Sequence, residues 1–364
     1  YAVSPADDGA KAEAAAEKSK YEKTVKALDF FGGVEADAEV SFREFCTFLF
    51  ALKGTDVSDL NDAELMQSAS AHDFIYSVST VKQKADDPIY IEEALFGAVN
   101  ALGYGTMTKD GGHVTWAAQL KLTDGISVSK NTALKGEQAF RLAYNMFDAD
   151  YLIYTGQGTG GAIYEARDGV GILERELDIY NAKGTVTANE ITGLYSTESA
   201  VGAGRVEIDG RQYEVGETNA GALLAYRTEY YYRDNGDGTY TILYIEKLSS
   251  GENVTTVSSA DIDAAASSVR ELVYYKGDKK VTAKIDSDAA VIYNGTVCRN
   301  YTSDVFDIDS GNVTVIGSRA VIINSYETVW VKTLDMKTYK IFPFYGEILE
   351  PDVETTEVVN AAGE

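Results

Sequence analysis

Histidine and cysteine are scarce in this chain of 364 residues, which contains two of each. His72 and His113 leave little room for a zinc site or for a histidine-based catalytic triad. Two cysteines are also too few for a disulfide framework. Because Cys46 falls in a predicted helix and Cys298 in a β-rich segment, we expect buried or free thiols rather than a bridge.

Basic residues are also few. The chain has 32 Lys and Arg but 57 Asp and Glu, which gives a formal net charge of -25. A charge of this sign repels nucleic acid and anionic membranes, so neither is an expected partner. The sequence has no run of the ~18 apolar residues that a membrane span needs. The first residue is tyrosine rather than methionine, which fits a secreted chain whose leader has been removed.

What the first 150 residues do contain is helical periodicity. Apolar residues recur at helical spacing in four stretches, 21–31, 45–52, 91–102 and 139–147. Glycines follow three of these stretches, as is common after helices. Ser41 and Glu44 have the S-x-x-E form of a capping box, which marks a helix start. The similar order of stripes, glycines and helix starts predicts internal repeats.

These units resemble S-layer homology repeats, the cell-wall anchoring modules of bacterial surface proteins. The matched stretches are VSFREF at 40–45, IYIEEA at 89–94 and ALKGEQA at 133–139, which correspond to the T-R-A-E-like start of the family's second helix. The runs ALGYG and QAFRLAYNMFD also resemble stretches of clostridial surface-layer-like proteins. The resemblance implies three degenerate helical repeats and a place on a bacterial cell surface.

In the family, an arginine of this motif contacts acidic wall polysaccharide. We match its positions to Phe42, Ile91 and Lys135, so that only a lysine keeps the charge, and lysine lacks the planar fork of arginine. The acid of the motif survives in each copy, although helix capping alone explains an acid at that place. The charged residues that the resemblance marks as polysaccharide-binding candidates are Arg43 and Lys135 together with the motif acids Glu44, Glu93 and Glu137.

After Asp150 the pattern changes, and from Gly184 onward the hydrophobic period is two, with a strong type I′ hairpin signal at Asp209-Gly210. Further turns are predicted at Gly277-Asp278, Asn294-Gly295 and Gly311-Asn312. Short strands at this spacing predict an antiparallel sandwich or small barrel rather than an α/β enzyme core. The fold class that we expect is therefore α+β and multidomain. The expected boundaries are a helical domain of three S-layer-homology-like repeats at 1–150, a linker with a short helix at 151–183, a first β module at 184–250, a second β module at 251–350 and a C-terminal tail at 351–364.

Three local motifs have ordinary structural explanations beside functional ones. Asp234–Gly238 looks like a calcium loop but lacks its bidentate glutamate, and we interpret it as a hairpin turn, which explains it without a metal. The glycine-rich segment 155–161 fits neither the P-loop nor the dinucleotide fingerprint, so we interpret it as a linker. Tyr230–Tyr232 could stack on sugars, but alternate strand residues face opposite sides, so at least one should be in the core.

The sequence favours a secreted, non-enzymatic structural protein of a bacterial surface that assembles with itself into a layer or filament. A wall-polysaccharide-binding anchor is the first alternative, and a carboxylate-based glycan hydrolase is the second, because 57 acids leave paired-carboxylate chemistry open. No cofactor or specific metal is expected. Calcium should act only nonspecifically, by screening the repulsion among the acids.

The two ends of the chain have extended, partly alternating character, which would let either add a strand to a sheet edge. We expect at least one end to dock on a neighbouring subunit, and docking on its own domain is the alternative. The residues predicted to make subunit contacts are Tyr1, Ala2, Val3, Val353, Val358 and Val359.

Overall fold

A computed structural model describes residues 20–76, 83–108, 112–129, 131–159, 161–166, 169–195, 199–248, 253–326, 340–341 and 344–345. The chain divides into two compact units. Unit 1 holds the described residues up to Tyr180 and the segment Tyr231–Asp237. Unit 2 holds Asn181–Tyr230 and the described residues from Gly238 onward, so the division passes through two strands of the chain.

Unit 1 is the helical part of the molecule, as the periodicity predicts. Its first helix, α1, covers residues 20–27 of the described chain. The helices that follow are α2 (Phe42–Leu52), α3 (Asp62–Ala71), α4 (Ile91–Ala101), α5 (His113–Gln119), α6 (Gly136–Asp148) and α7 (Ile172–Leu177). The predicted capping box is present at the start of α2, where Ser41 and Glu44 bind each other's backbone N–H groups.

The core of unit 1 is rich in phenylalanine because the apolar stripes of α2 and α6 both face inward. Phe31 stacks on Phe48 with ring centroids 4.5 Å apart, and Phe140 meets Phe31 edge-on. The predicted stripe of α6 is buried as expected. Its buried members are Ala139, Phe140, Leu142, Ala143, Met146 and Phe147.

Where the sequence suggested a glycine-rich linker, unit 1 instead has an antiparallel hairpin. Strand β1 (Leu152–Gly158) pairs with β2 (Gly161–Ala166), and the register shifts between Tyr154 and Gly156. The short helix α7 then occupies the place that the sequence assigned to it.

The first β module contains a closed barrel, one of the two arrangements that the strand spacing predicts. Its strands are β3 (Ile179–Ala188), β4 (Arg205–Ile208), β5 (Arg211–Glu214), β6 (Arg227–Asp234) and β7 (Tyr240–Lys247), in the order β3-β4-β5-β7-β6. The β4–β5 hairpin turns at Asp209-Gly210, where both residues have positive φ as a type I′ turn requires.

The second β module contains a five-stranded mixed sheet. Its strands are β8 (Val254–Ser258), β11 (Ala290–Tyr293), β12 (Thr296–Cys298), β13 (Gly311–Ile316) and β14 (Ala320–Ser325), in the order β12-β11-β14-β13-β8. The β11–β14 pair is parallel, whereas the sequence predicted antiparallel strands throughout. A turn was also expected at Gly311-Asn312, but these residues begin β13.

A separate two-stranded ribbon packs one face on the apolar core of this sheet. It consists of β9 (Glu271–Lys276) and β10 (Lys279–Lys284), joined at Gly277-Asp278 as predicted. Leu272 is buried in the core and Tyr274 packs against it. Farther along, β15 (Lys340–Ile341) pairs with β16 (Phe344–Tyr345).

Two expectations about composition are met in the described residues. Cys46 is a buried free thiol, and Cys298 is a half-buried one. Burial, together with the nearby charge of Glu93, raises the pKa of the Cys46 thiol to about 12, so it is protonated and inert at neutral pH. None of the described helices combines the length and the apolar character that a bilayer crossing requires.

Candidate functional site at three helix starts

The segments that lead into α2, α4 and α6 are joined by a closed cycle of backbone hydrogen bonds. The Val40 N–H donates to the Leu134 carbonyl oxygen (2.8 Å), the Leu134 N–H to that of Ile89 (2.8 Å), and the Ile89 N–H to that of Val40 (2.9 Å). All three side chains are fully buried. We call these three segments and their bonds the helix-start ring. Each start is therefore bonded to both of the others.

A second set of backbone hydrogen bonds lies two residues farther along each segment. The Phe42 N–H donates to the Asp87 carbonyl oxygen and the Gly136 N–H to that of Ala38. In the same way, the Ile91 N–H donates to Thr132 (3.0 Å). The first N–H groups of a helix have no partner within it. In the ring, the neighbouring segments supply those partners.

The ring shows which residues of the three helix-start segments lie level with one another, and it places one residue differently from the sequence match. Ser41, Tyr90 and Lys135 are the residues that precede the three helices. Lys135 is therefore equivalent in position to Ser41. The sequence match had instead aligned Lys135 with Phe42 and Ile91. That place belongs to Gly136 in the third repeat.

The same shift by one residue applies to the acid of the third helix-start segment. Glu137 lies level with Arg43, and Gln138 is the residue level with Glu44. Gln138 takes over the capping role, because its side-chain oxygen accepts a hydrogen bond from the Lys135 N–H (3.0 Å), as Glu44 does from the Ser41 N–H (2.8 Å).

The three positions level with Phe42 are buried in all the helix-start segments. Phe42 and Ile91 are core residues, and Gly136 is buried too. A Cβ built on Gly136 would lie only 2.1 Å from the Glu35 carbonyl oxygen. A side chain at this position would therefore point into packed protein and could not reach an external ligand.

The five predicted binding residues occupy different environments. Arg43, which is half-buried, pairs with Asp62, and Glu44 is held by the capping box. Lys135 and Glu137 are exposed at the start of α6. The backbone brings their helix starts together.

Glu93 differs from the other four because it is buried, with 4% of its surface exposed. Its carboxylate accepts a hydrogen bond from the Tyr76 N–H (3.2 Å) and one from the Gln83 side chain. Burial raises the pKa of Glu93 above its ordinary value, and the two hydrogen bonds oppose the shift. Glu93 is thus part of the packing of α4 rather than an exposed ligand-binding acid.

The remaining sequence candidates are accounted for as follows. The Asp234 side chain accepts a hydrogen bond from the Gly236 N–H (2.9 Å), which is the bond of a simple turn. Tyr230–Tyr232 are all buried, so they offer no exposed platform for a sugar. Within the part of the chain that the structure describes, no three or more His, Cys, Asp or Glu side chains gather as a metal site. The six predicted subunit-contact residues at the chain ends lie outside the described residues.

Two charged features escaped the sequence reasoning. Lys53, at the end of α2, hydrogen-bonds Glu176 (2.7 Å) and Tyr151, residues that are far from it in sequence, so no local pattern predicts the cluster. The other is a concentration of cations between residues 270 and 284, which is visible in the sequence as five Lys and Arg against two acids. A local count of charge would have found it.

Comparison of the chain with protein-family models, with curated proteins and with solved structures gives no match.

Proposed function

We propose that this chain is a secreted, non-enzymatic structural protein of a bacterial surface, built on degenerate S-layer homology repeats, which assembles with itself into a layer or filament. The observation that carries the proposal is the helix-start ring. Three segments at comparable positions bond to one another in one closed cycle through Val40, Ile89 and Leu134, as three copies of a single unit would. The ring supports the repeats as a packed scaffold.

The burial of the arginine positions favours a structural role over glycan binding at this motif. A bidentate contact to an acidic sugar needs an exposed guanidinium. Phe42, Ile91 and Gly136 can supply none, and their surroundings leave no room for one. The acidic surplus of the chain opposes binding to an anionic wall polymer in general.

The anchor is kept as a second candidate because of one observation in the third repeat. Lys135 and Glu137 are both exposed at the start of α6, so this helix start still presents a cation and an acid to solvent. Polysaccharide binding at this motif would use these two residues.

A paired measurement separates the two functions. Purified protein is sedimented over a range of concentrations, and the same protein is tested for retention on purified wall polysaccharide. We expect concentration-dependent assembly and little retention. Tight retention that is lost in Lys135→Ala and kept in Lys121→Ala, which removes an exposed lysine elsewhere in unit 1, would establish the anchor instead.

A further inference from the structure

The ribbon formed by β9 and β10 is basic, although the chain as a whole is acidic. Residues 270–284 contain five Lys and Arg and two acids, whereas the chain as a whole has 32 against 57. We name the surface formed by its exposed cations the basic ribbon. Its members are Arg270, Lys276, Lys279, Lys280 and Lys284.

The basic ribbon also has an open strand edge. The outer edge of β9 is occupied, since the Val273 carbonyl accepts a hydrogen bond from Asp263 and Glu271 exchanges two with Ser268. On the other side, β10 pairs only with β9 among the described strands. Lys276 and Lys279 flank the two-residue turn and form a hydrogen-bonded pair. Every second residue of β10, counted from Lys280, therefore directs its backbone N–H and C=O groups away from β9.

Apolar surface accompanies the exposed edge. Tyr275 lies opposite Lys280 in the ribbon with 43% of its surface exposed, and Val269, beside Arg270, is 38% exposed. Tyr275 belongs to β9 rather than to the open edge of β10, and it supplies exposed aromatic surface, in which protein interfaces are enriched.

Lysines on an edge strand can simply prevent unwanted pairing. That purpose needs charge but no particular sign, and this chain has nearly two acids for every cation. The lysines select carboxylates on a protein partner, and the outward N–H and C=O groups of β10 can bond polar groups at that surface.

An abundant acidic polypeptide surface is available on the protein itself. From Asp29 to Asp73, unit 1 has ten acids and two cations. Both cations are already paired, Arg43 with Asp62 and Lys53 with Glu176. Building on the proposed self-assembly, we infer that the basic ribbon of one copy docks on an acidic surface of a second copy, as a head-to-tail contact that repeats along the assembly.

A pair of matched charge-reversal variants tests the contact. Lys279→Glu/Lys284→Glu reverses the ribbon without touching Lys280, which pairs with Asp263 (2.9 Å). Lys84→Glu/Lys121→Glu changes the net charge equally at exposed lysines of unit 1. Surface charge pairs contribute modestly one by one, but two reversals replace attraction by repulsion. We expect the ribbon variant to need at least about tenfold more protein to assemble, and the control about the same amount as the parent.

A second measurement keeps the test independent of how the variant folds. Parent protein with natural nitrogen is mixed with ¹⁵N-labelled parent and treated with a carbodiimide, which joins lysine amines directly to carboxylates in contact. We expect mixed-isotope peptide pairs from Lys276, Lys279 or Lys284 to acidic peptides of the other copy.

The outcomes separate this inference from the proposed function. If the ribbon variant assembles at the same concentration as the parent, and the parent gives no cross-links from the ribbon lysines, the contact is refuted while self-assembly stands. If the parent stays monomeric at all concentrations, self-assembly itself fails. The ribbon variant is also compared with the parent for retention on dextran sulfate, a polyanion. If the variant assembles as the parent does but is no longer retained, the ribbon binds polyanions, and the proposed contact is overturned.

Discussion

Replacing Gly136 with alanine should break the helix-start ring from within. The new Cβ would lie 2.1 Å from the Glu35 carbonyl oxygen and 3.0 Å from a Val34 methyl group, so the 34–38 segment must move. That movement strains two hydrogen bonds, from the N–H groups of Gly136 and Glu137 to Ala38 (2.9 Å) and Ala36 (2.8 Å). Overpacking costs about 1–3 kcal/mol and each of the two weakened bonds about 0.5–1.5 kcal/mol, so we expect a loss of about 2–6 kcal/mol.

The assay is hydrogen exchange of α2, α4 and α6 in urea, because the two units of the chain need not unfold together. The matched control is Gly33→Ala, where the added Cβ meets no atom within 4 Å and the variant should keep the stability of the parent. Equal protection of α6 in the two variants would refute the tight packing that we assign to Gly136.

Further predictions concern the charged groups of unit 1. Burial raises the folded-state pKa of Glu93, so ionisation of this side chain destabilises the fold as pH rises through that pKa. Glu93→Gln should therefore raise Tm at pH 7. The gain in Tm should vanish below about pH 4, where the carboxyl is protonated in the folded and the unfolded chain. Lys53→Met leaves the half-buried Glu176 without its cation and should cost about 1–2 kcal/mol, with a double-mutant cycle against Glu176→Gln measuring the coupling. Glu44→Ala removes half of the capping box with Ser41 and should cost about 0.5–2 kcal/mol in urea unfolding, whereas no change would show that the box is redundant with the ring.

Local signals explain the parts of the fold that could be predicted. The start of α2 follows from Ser41 and Glu44, which need only each other, and the stripe of α6 follows from helical spacing. The hairpin at Asp209-Gly210 is likewise set by two adjacent residues that tolerate positive φ. These elements depend on neighbours in sequence, so the sequence specifies them directly.

Glycine was the main source of error because it serves turns and close contacts alike. Gly311 was taken as a turn residue, but a Cβ there would lie 1.8 Å from the Asn324 carbonyl oxygen across the sheet. Gly136 is likewise explained by Glu35, a hundred residues away. Neither partner can be identified without the fold.

The candidate site was predicted in part. The stretches at 40–45, 89–94 and 133–139 meet in one ring, where Lys135 lies level with Ser41 instead of with Phe42. That helix start has Lys135 and Gln138 in place of Ser41 and Glu44, so the S-x-x-E pattern is absent and the sequence offered no fixed point for the alignment. The burial of Phe42 and Ile91 depends on packing between helices, which periodicity alone does not determine.

Electron microscopy of the purified protein over a range of concentrations tests the central claim most directly. Self-assembly through a repeated contact predicts filaments or sheets with a regular repeat, which appear above a threshold concentration and shift to higher concentration in Lys279→Glu/Lys284→Glu. Dispersed single particles at every concentration, in the presence and absence of calcium, would contradict a structural role through self-assembly.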